Sequence, residues 1–307
     1  MKEKNLPNFF KYNNTKIPTI GLGTAYMSNV SEVVFSSIKD GVRLIDTAAV
    51  YGTEKGVGKG IKKAIEQGIV KREDLFIVTK LSKFDTKNPE LAIKNSLKML
   101  DLNYVDLYLL HWPKFYDCNG KNKKTNLVPM HVVWPNLENL VKKGYTKYIG
   151  VSNFNVQSLL NLLSFCKIKP LVNEIEFHPY LYQKKLVEFC RREDIFLLGY
   201  NPLVRGCYSA ETADEKNRNL LGEKIIIDLA KKYKKTVGQI VLNWSISREV
   251  IPIPMTSNVS RMKENLGSCN FIMDKKDLEN IDKLNRNQRF GLSEIWDIYD
   301  NEIDVFA

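Results

Sequence analysis

No apolar run in this 307-residue sequence approaches the roughly 20 residues needed to cross a bilayer. The amino-terminal MKEKNLPNFFKYNN also lacks an apolar core like that of a signal peptide, so a soluble, cytoplasmic chain is expected. Cysteine is scarce: Cys118, Cys166, Cys190, Cys207 and Cys269 are odd in number, widely separated and form no CxxC pair. That pattern argues against a zinc ribbon or a disulfide framework and fits free thiols in a reducing compartment. No cluster of recognisable metal-ligand spacing is found either, so no metal is expected. Lysine and arginine outnumber aspartate and glutamate by 46 to 35, a formal charge of +11, but they are dispersed and no nucleic-acid-binding motif accompanies them. An anionic small ligand accounts for the excess as well, and neither a nucleic-acid nor a membrane partner is expected. Low-complexity linkers are absent, which implies one domain over 1–307, with an N-terminal hairpin at about 8–19 and a C-terminal tail at 286–307.

What is present is an alternation. Short apolar runs recur at 19–24, 44–48, 75–80, 105–111, 148–153, 171–177, 195–202 and 250–255, and most are separated by segments of helical period. In 89–100, Pro89 follows the capping candidate Asn88, while Ile93, Leu97 and Leu100 share a face. Asn155 can likewise cap a leucine-rich helix over 155–166, and Trp134 and Leu137 read as the packed face of the helix before it. Strands that are almost continuously apolar belong to a parallel sheet covered on its outer face, and eight of them close a (β/α)8 TIM barrel with its site at the C-terminal strand ends. The polar insertions 114–130 and 203–219 and the tail leave from that end.

Two phosphate-binding motifs are incomplete. GLGTAY (21–26) begins like a dinucleotide fingerprint, with Asp46 at a suitable distance, but Tyr26 stands at the third glycine and no helix follows at once. GTEKGVGKG (52–60) lacks the Ser or Thr of a phosphate loop and reads as the entry to a helix over 54–67.

The strand ends carry the chemistry. LIDTAAVYG (44–52) ends an apolar run on Asp46, with Tyr51 a short loop later; the next strand ends with Lys80, and the one after with His111. A buried carboxylate needs a partner, and Lys80 can be it. Tyrosine titrates near 10, too high to exchange protons readily at neutrality, unless an adjacent ammonium stabilises the phenolate. Asp46 then fixes Lys80, Lys80 tunes Tyr51 as an acid, and His111 orients a carbonyl oxygen toward it. None of these residues supplies electrons, so a hydride donor is implied. His178 reads as a hydrogen-bonded structural residue and His131 as a surface one.

The segments DTAAVYGTE, LLHWP, GVSNF and NEIEFHPYLYQ, within a match running from about 11–24 to 284–290, resemble the aldo-keto reductases, specifically the aldose reductase-like carbonyl reductases. The resemblance implies a barrel that reduces aldehydes or ketones with NADPH, NADH being a weaker alternative, and acts as a monomer on a small carbonyl substrate. By position, Asp46, Tyr51, Lys80 and His111 match the catalytic tetrad. Gly23, Thr24, Asp46, Ser152, Asn153, Glu174, Tyr200, Asn201, Leu203, Thr256, Ser257, Arg261, Glu264 and Asn265 match cofactor-binding positions. Ser152 and Asn153 fall on the carboxamide-binding pair and Tyr200 on the aromatic that stacks on the nicotinamide. Ala25, Val50, Ser82, Trp112 and Trp296 fall around the substrate pocket. Three departures stand out: Glu174 replaces a glutamine and would accept from the carboxamide without donating, Met255 replaces a lysine that pairs with the 2′-phosphate, and Ala25 and Ser82 replace tryptophans, which widens the pocket. An alternative is a barrel that keeps the cofactor as a redox-sensing or non-catalytic subunit, against which the intact tetrad argues.

Overall fold

The structure, a computed structural model, describes residues 5–12, 14–115, 128–204 and 219–291. An antiparallel hairpin, β1 (Phe9–Tyr12) and β2 (Thr15–Pro18), precedes eight parallel strands. These are β3 (Leu22–Gly23), β4 (Leu44–Asp46), β5 (Phe76–Leu81), β6 (Val105–Leu110), β7 (Thr146–Ser152), β8 (Val172–Glu176), β9 (Phe196–Tyr200) and β10 (Val250–Pro252), hydrogen-bonded in chain order. The helices are α1 (Val30–Lys39), α2 (Glu54–Glu66), α3 (Pro89–Leu100), α4 (Met130–Lys142), α5 (Val156–Leu163), α6 (Lys184–Arg192), α7 (Lys224–Tyr233), α8 (Val237–Ser247), α9 (Val259–Leu266) and α10 (Lys275–Asp282). All eight expected strands are found, and the fold is a (β/α)8 barrel.

Closure depends on two glycines. The N–H groups of Gly21 and Gly23 donate to the Pro252 and Pro254 carbonyls at 3.0 and 3.1 Å, and Gly23 bridges Met255 in parallel register. Prolines have no N–H to return, so the seam carries few ladder bonds, and its regular strands are shorter than the apolar runs 19–24 and 250–255. A Cβ on Gly21 would lie 2.0 Å from Leu44, and one on Gly23 would lie 2.9 Å from the Ile253 carbonyl oxygen. The glycines of the incomplete fingerprint therefore serve close packing at the barrel seam.

Helix ends follow local chemistry. The Asn88 side chain accepts from Leu91 N–H at 3.1 Å with Pro89 at the first turn, and Asn155 accepts from Ser158 N–H at 2.8 Å. The second helix stops at Leu163, before the expected 166, because the chain tightens there and the Phe165 and Cys166 N–H groups both turn back to Leu162.

Inside the barrel, Leu44, Phe76, Val78, Leu107, Leu109, Val172, Phe196, Leu198, Ile251 and Ile253 make one apolar cluster, floored by Ile17 of the hairpin. The alternate residues pack outward against the helices in a second core that includes Trp134 and Leu137. Cys166, Cys190 and Cys269 are free thiols; Cys118, Cys207 and most of the insertions and tail lie outside the described residues. Among the described residues no helix is long and apolar enough to cross a membrane.

Candidate active site

Strand alternation carries the inward series upward from apolar to polar. Leu44 faces the inner core, so Asp46 does too; Val78 is followed inward by Lys80, Leu109 by His111, and Val172 by Glu174. β4 and β8 stand four places apart in the eight-strand ring, which sets Glu174 across the interior from Asp46. The layer above the apolar core is thus built from side chains that must satisfy one another.

Lys80 is at its centre. Its Nζ donates to both Asp46 oxygens at 2.7 Å, to the Thr47 carbonyl at 3.1 Å and to the Tyr51 phenol oxygen at 3.4 Å. Glu174 Oε1 lies 3.3 Å away. Burial alone would push the Lys80 ammonium down; Asp46 and Glu174 outweigh it and hold Lys80 above its ordinary value. Tyr51 closes a single 3₁₀ turn over Ala49–Tyr51, and the chain leaves it through Gly52 at φ +69, a left-handed turn that suits glycine. The His111 ring meets the Tyr51 ring edge-on at 5.7 Å. Enclosure, then the charges of Lys80 and Lys83, hold His111 well below the usual imidazole range. It is neutral near pH 7, able to donate one N–H but with no imidazolium proton to deliver.

The tetrad residues Asp46, Tyr51 and His111 line a cavity of about 500 Å³. At its other end are Met255, Thr256, Ser257, Arg261, Glu264 and Asn265, around the start of α9. Gly23, Thr24, Ser152, Asn153, Glu174, Tyr200, Asn201 and Leu203 line the space between. Asn153 sits at φ +66, a conformation asparagine tolerates, and its amide donates to the His111 carbonyl and to Ser152 Oγ, both at 3.1 Å. The Tyr200 hydroxyl donates to Asn153 Oδ1 at 2.9 Å. Every residue expected around the cofactor therefore lines this one cavity.

The residues expected around the substrate divide. Ala25 and Trp112 line the cavity, whereas Val50 and Ser82 do not. Val50 is 49% exposed on the outside of its 3₁₀ turn. Ser82 follows the end of β5, where the chain turns; its Oγ accepts from Phe84 N–H at 3.3 Å, and it lines a separate cavity toward α3 with Asn88 and Met99. Trp296 lies outside the described residues.

Two features escaped the sequence reading. Tyr26, at φ +56 and half exposed, lines the cavity with its ring centroid 5.8 Å from that of Tyr51. Glu176, fully buried one inward step above Glu174, accepts from Phe290 N–H at 3.1 Å, Gly291 N–H at 2.9 Å and the Asn201 amide at 2.9 Å. His178 Nε2 is 3.2 Å from it, so that histidine is a structural partner of the clasp, and His131 is exposed on α4. The clasp fixes the start of the tail beside Tyr200, whose hydroxyl a Cβ on Gly291 would approach to 3.0 Å.

The chain has relatives of known name. The chain is 38% identical over 302 residues to aldose reductase C of Dictyostelium discoideum, covering 92% of this chain and 91% of that protein. It is 39% identical over 304 residues to the NAD(P)H-dependent D-xylose reductase of Pachysolen tannophilus, covering 93% and 95%. A crystal structure of an aldo-keto reductase complexed with NADPH superimposes with a TM-score of 0.85 at 31% identity, covering 97% of this chain and 93% of that one. Residues 19–286 match the model of the aldo/keto reductase family, and the chain belongs to that family.

Proposed function

We propose that this protein reduces the carbonyl group of small aldehydes or ketones to an alcohol, using NADPH in preference to NADH, with Tyr51 as proton donor. The observation that carries the reading is the contact chain Asp46–Lys80–Tyr51, two contacts of 2.7 Å and one of 3.4 Å, ending at a cavity that also receives the His111 ring.

The cavity residues suit a nicotinamide dinucleotide. Arg261, Thr256 and Ser257 cluster at the start of α9, where a cation and hydroxyls favour a phosphate. Tyr200 offers an aromatic face, and Ser152, Asn153 and a buried, unpartnered Glu174 Oε2 offer polar atoms for the one polar substituent of the ring. When bound, the nicotinamide would supply a hydride for the carbonyl carbon. The His111 N–H holds the carbonyl oxygen, and Tyr51 gives that oxygen its proton, completing the alcohol. Lys80 donates to the phenol oxygen and stabilises the phenolate left behind, which solvent reprotonates. A neutral His111 cannot take over the donor's role, which leaves it to Tyr51. Met255, where a lysine would add a second cation, leaves the 2′-phosphate to Arg261 and the hydroxyls, so NADH is used measurably. Ala25 and Tyr26 beside Trp112 leave an open pocket that accepts carbonyl compounds of varied size. A panel of aldehydes and ketones assayed with each reduced cofactor tests the reading; turnover of none would overturn it.

A further inference from the structure

The cluster behind Tyr51 holds more acceptors than its cation can serve. Lys80 has three N–H hydrogens. Five oxygens lie within reach of them: both of Asp46, the Thr47 carbonyl, Glu174 Oε1 and Tyr51. Glu174 is 2% exposed, and two full carboxylate charges beside one buried ammonium would leave the layer with an uncompensated charge. Of the two carboxyl groups, Asp46 holds Lys80 with both oxygens at 2.7 Å, while Glu174 reaches it with one at 3.3 Å. The other oxygen, Glu174 Oε2, is buried without a hydrogen-bond partner, on a residue that lines the main cavity. A carboxylate oxygen in that position is costly; protonated, Glu174 has the Asp46 carboxylate beside it as one acceptor and, on the cavity side, any acceptor that a ligand brings.

We propose that Glu174 carries a proton when the protein binds its nicotinamide cofactor, that this O–H donates to the carboxamide oxygen of the ring, and that cofactor affinity is therefore governed by the protonation of Glu174. The inference rests on the reductase reading above and replaces the acceptor-only role expected from the sequence. Burial first, then the adjacent Asp46 charge and a hydrogen bond with that carboxyl, push the Glu174 carboxyl up to about 8 against the opposing pull of Lys80. The titratable groups around it are Asp46 from β4, Tyr51 from the turn after β4, Lys80 from β5, His111 after β6 and Tyr200 at the end of β9. Glu176, with Arg289 3.9 Å from it, lies one step above on β8 itself. His111 is held neutral and Lys80 charged, so neither changes charge in the range where Glu174 does. Protonated, Glu174 presents one acceptor and one donor, as an amide would; ionised, it withdraws the donor and competes with Asp46 and Tyr51 for Lys80.

Isothermal titration of NADPH into the full chain between pH 7 and pH 9, in two buffers of unequal ionisation enthalpy, tests this without turnover. Wild type should bind about tenfold more weakly at pH 9 than at pH 7 and take up about three quarters of a proton per nucleotide at pH 8.5, as expected for one group titrating near 8 that must be protonated. Glu174→Gln keeps an N–H donor at every pH, so its ratio of Kd values between pH 9 and pH 7 should stay near one and its proton uptake should vanish. A wild-type Kd that is flat from pH 7 to pH 9, or equal proton uptake by both proteins, would overturn the inference while leaving the reductase reading intact. A wild type that does not bind NADPH at pH 7 would overturn both. If Glu174→Gln fails to fold, the wild-type pH series decides alone.

Discussion

Lys80→Met keeps most of the length of the side chain and removes its charge, so it probes the buried cluster without opening a large cavity. The lysine is 1% exposed, and Asp46, at 3%, has both oxygens on it. Removing one partner of a buried pair typically costs roughly 3–5 kcal/mol, because the other charge stays out of water. That loss should appear at pH 7 in urea unfolding of the variant against wild type. It should also depend on pH. Without its cation the buried Asp46 titrates above its unfolded-state value of about 4, so the folded variant binds the extra proton and regains relative stability as pH falls toward that value. In wild type, burial outweighs Lys80 and already holds the Asp46 carboxyl above its usual range, but less far than without the cation, so wild type gains less over the same range and the gap between the two proteins narrows. Carbonyl reduction should fall by about 10²–10⁴-fold, the usual weight of a positioned acid, since the phenolate left by proton transfer has no ammonium beside it. A stability loss under about 1 kcal/mol at pH 7, or one equally large at pH 4.5, would refute the claim that Asp46 depends on Lys80.

At the far end of the cavity, Arg261→Ala should narrow the preference for NADPH over NADH by about one to two orders of magnitude in kcat/KM, the worth of one charge-assisted phosphate contact, and Met255→Lys should widen it. Both are read by assaying the two cofactors side by side; a preference unmoved by either change would remove Arg261 from phosphate binding. In the clasp, burial works against the Glu176 charge, but His178, the Gly291 N–H and the Asn201 amide outweigh it and hold the carboxyl below its usual range. Its contribution is therefore present above about pH 4.5 and is lost as pH falls through the folded-state value. Glu176→Gln, which turns an N–H toward donors or forfeits one acceptor, should cost about 2 kcal/mol or more at pH 7 and progressively less below pH 4, measured by chemical unfolding. A cost that does not change with acid would show that the charge is immaterial.

The parts of this protein that were legible from sequence are those governed by local period. An apolar strand of period two announces which residues share the barrel interior, so Asp46, Lys80 and His111 could be placed on one rim from their positions at successive strand ends. Helix starts with their own chemistry, such as Asn88-Pro89 and Asn155, were equally readable. How far side chains reach across the ring was not. An eight-strand barrel already sets β8 opposite β4, but nothing in the sequence says that the Glu174 carboxyl reaches Lys80, so its role as a second carboxyl on that lysine emerges only in three dimensions. Turns are harder to read: Ser82 and Val50 lie next to rim residues in sequence, but the chain bends after β5 and around the Ala49–Tyr51 turn, and neither residue is among those lining the main cavity. Tyr26 illustrates the same limit, because its left-handed φ redirects a side chain that simple alternation cannot place. Glu176 reads as one more residue of an apolar strand, and its partners Phe290 and Gly291 are more than a hundred residues away.

Tyr51→Phe removes the one phenol oxygen proposed to deliver the proton and keeps the ring that packs against His111. The measurement is a pair: NADPH affinity by titration, and single-turnover reduction of a small aldehyde by the loaded variant. NADPH affinity should stay close to that of wild type, because the α9 end of the cavity and Tyr200 are untouched, while the reduction rate should fall by about 10²–10⁴-fold. Reduction at a near wild-type rate by a variant that still binds the cofactor would contradict the donor role, and the proton would have to come from a group other than Tyr51.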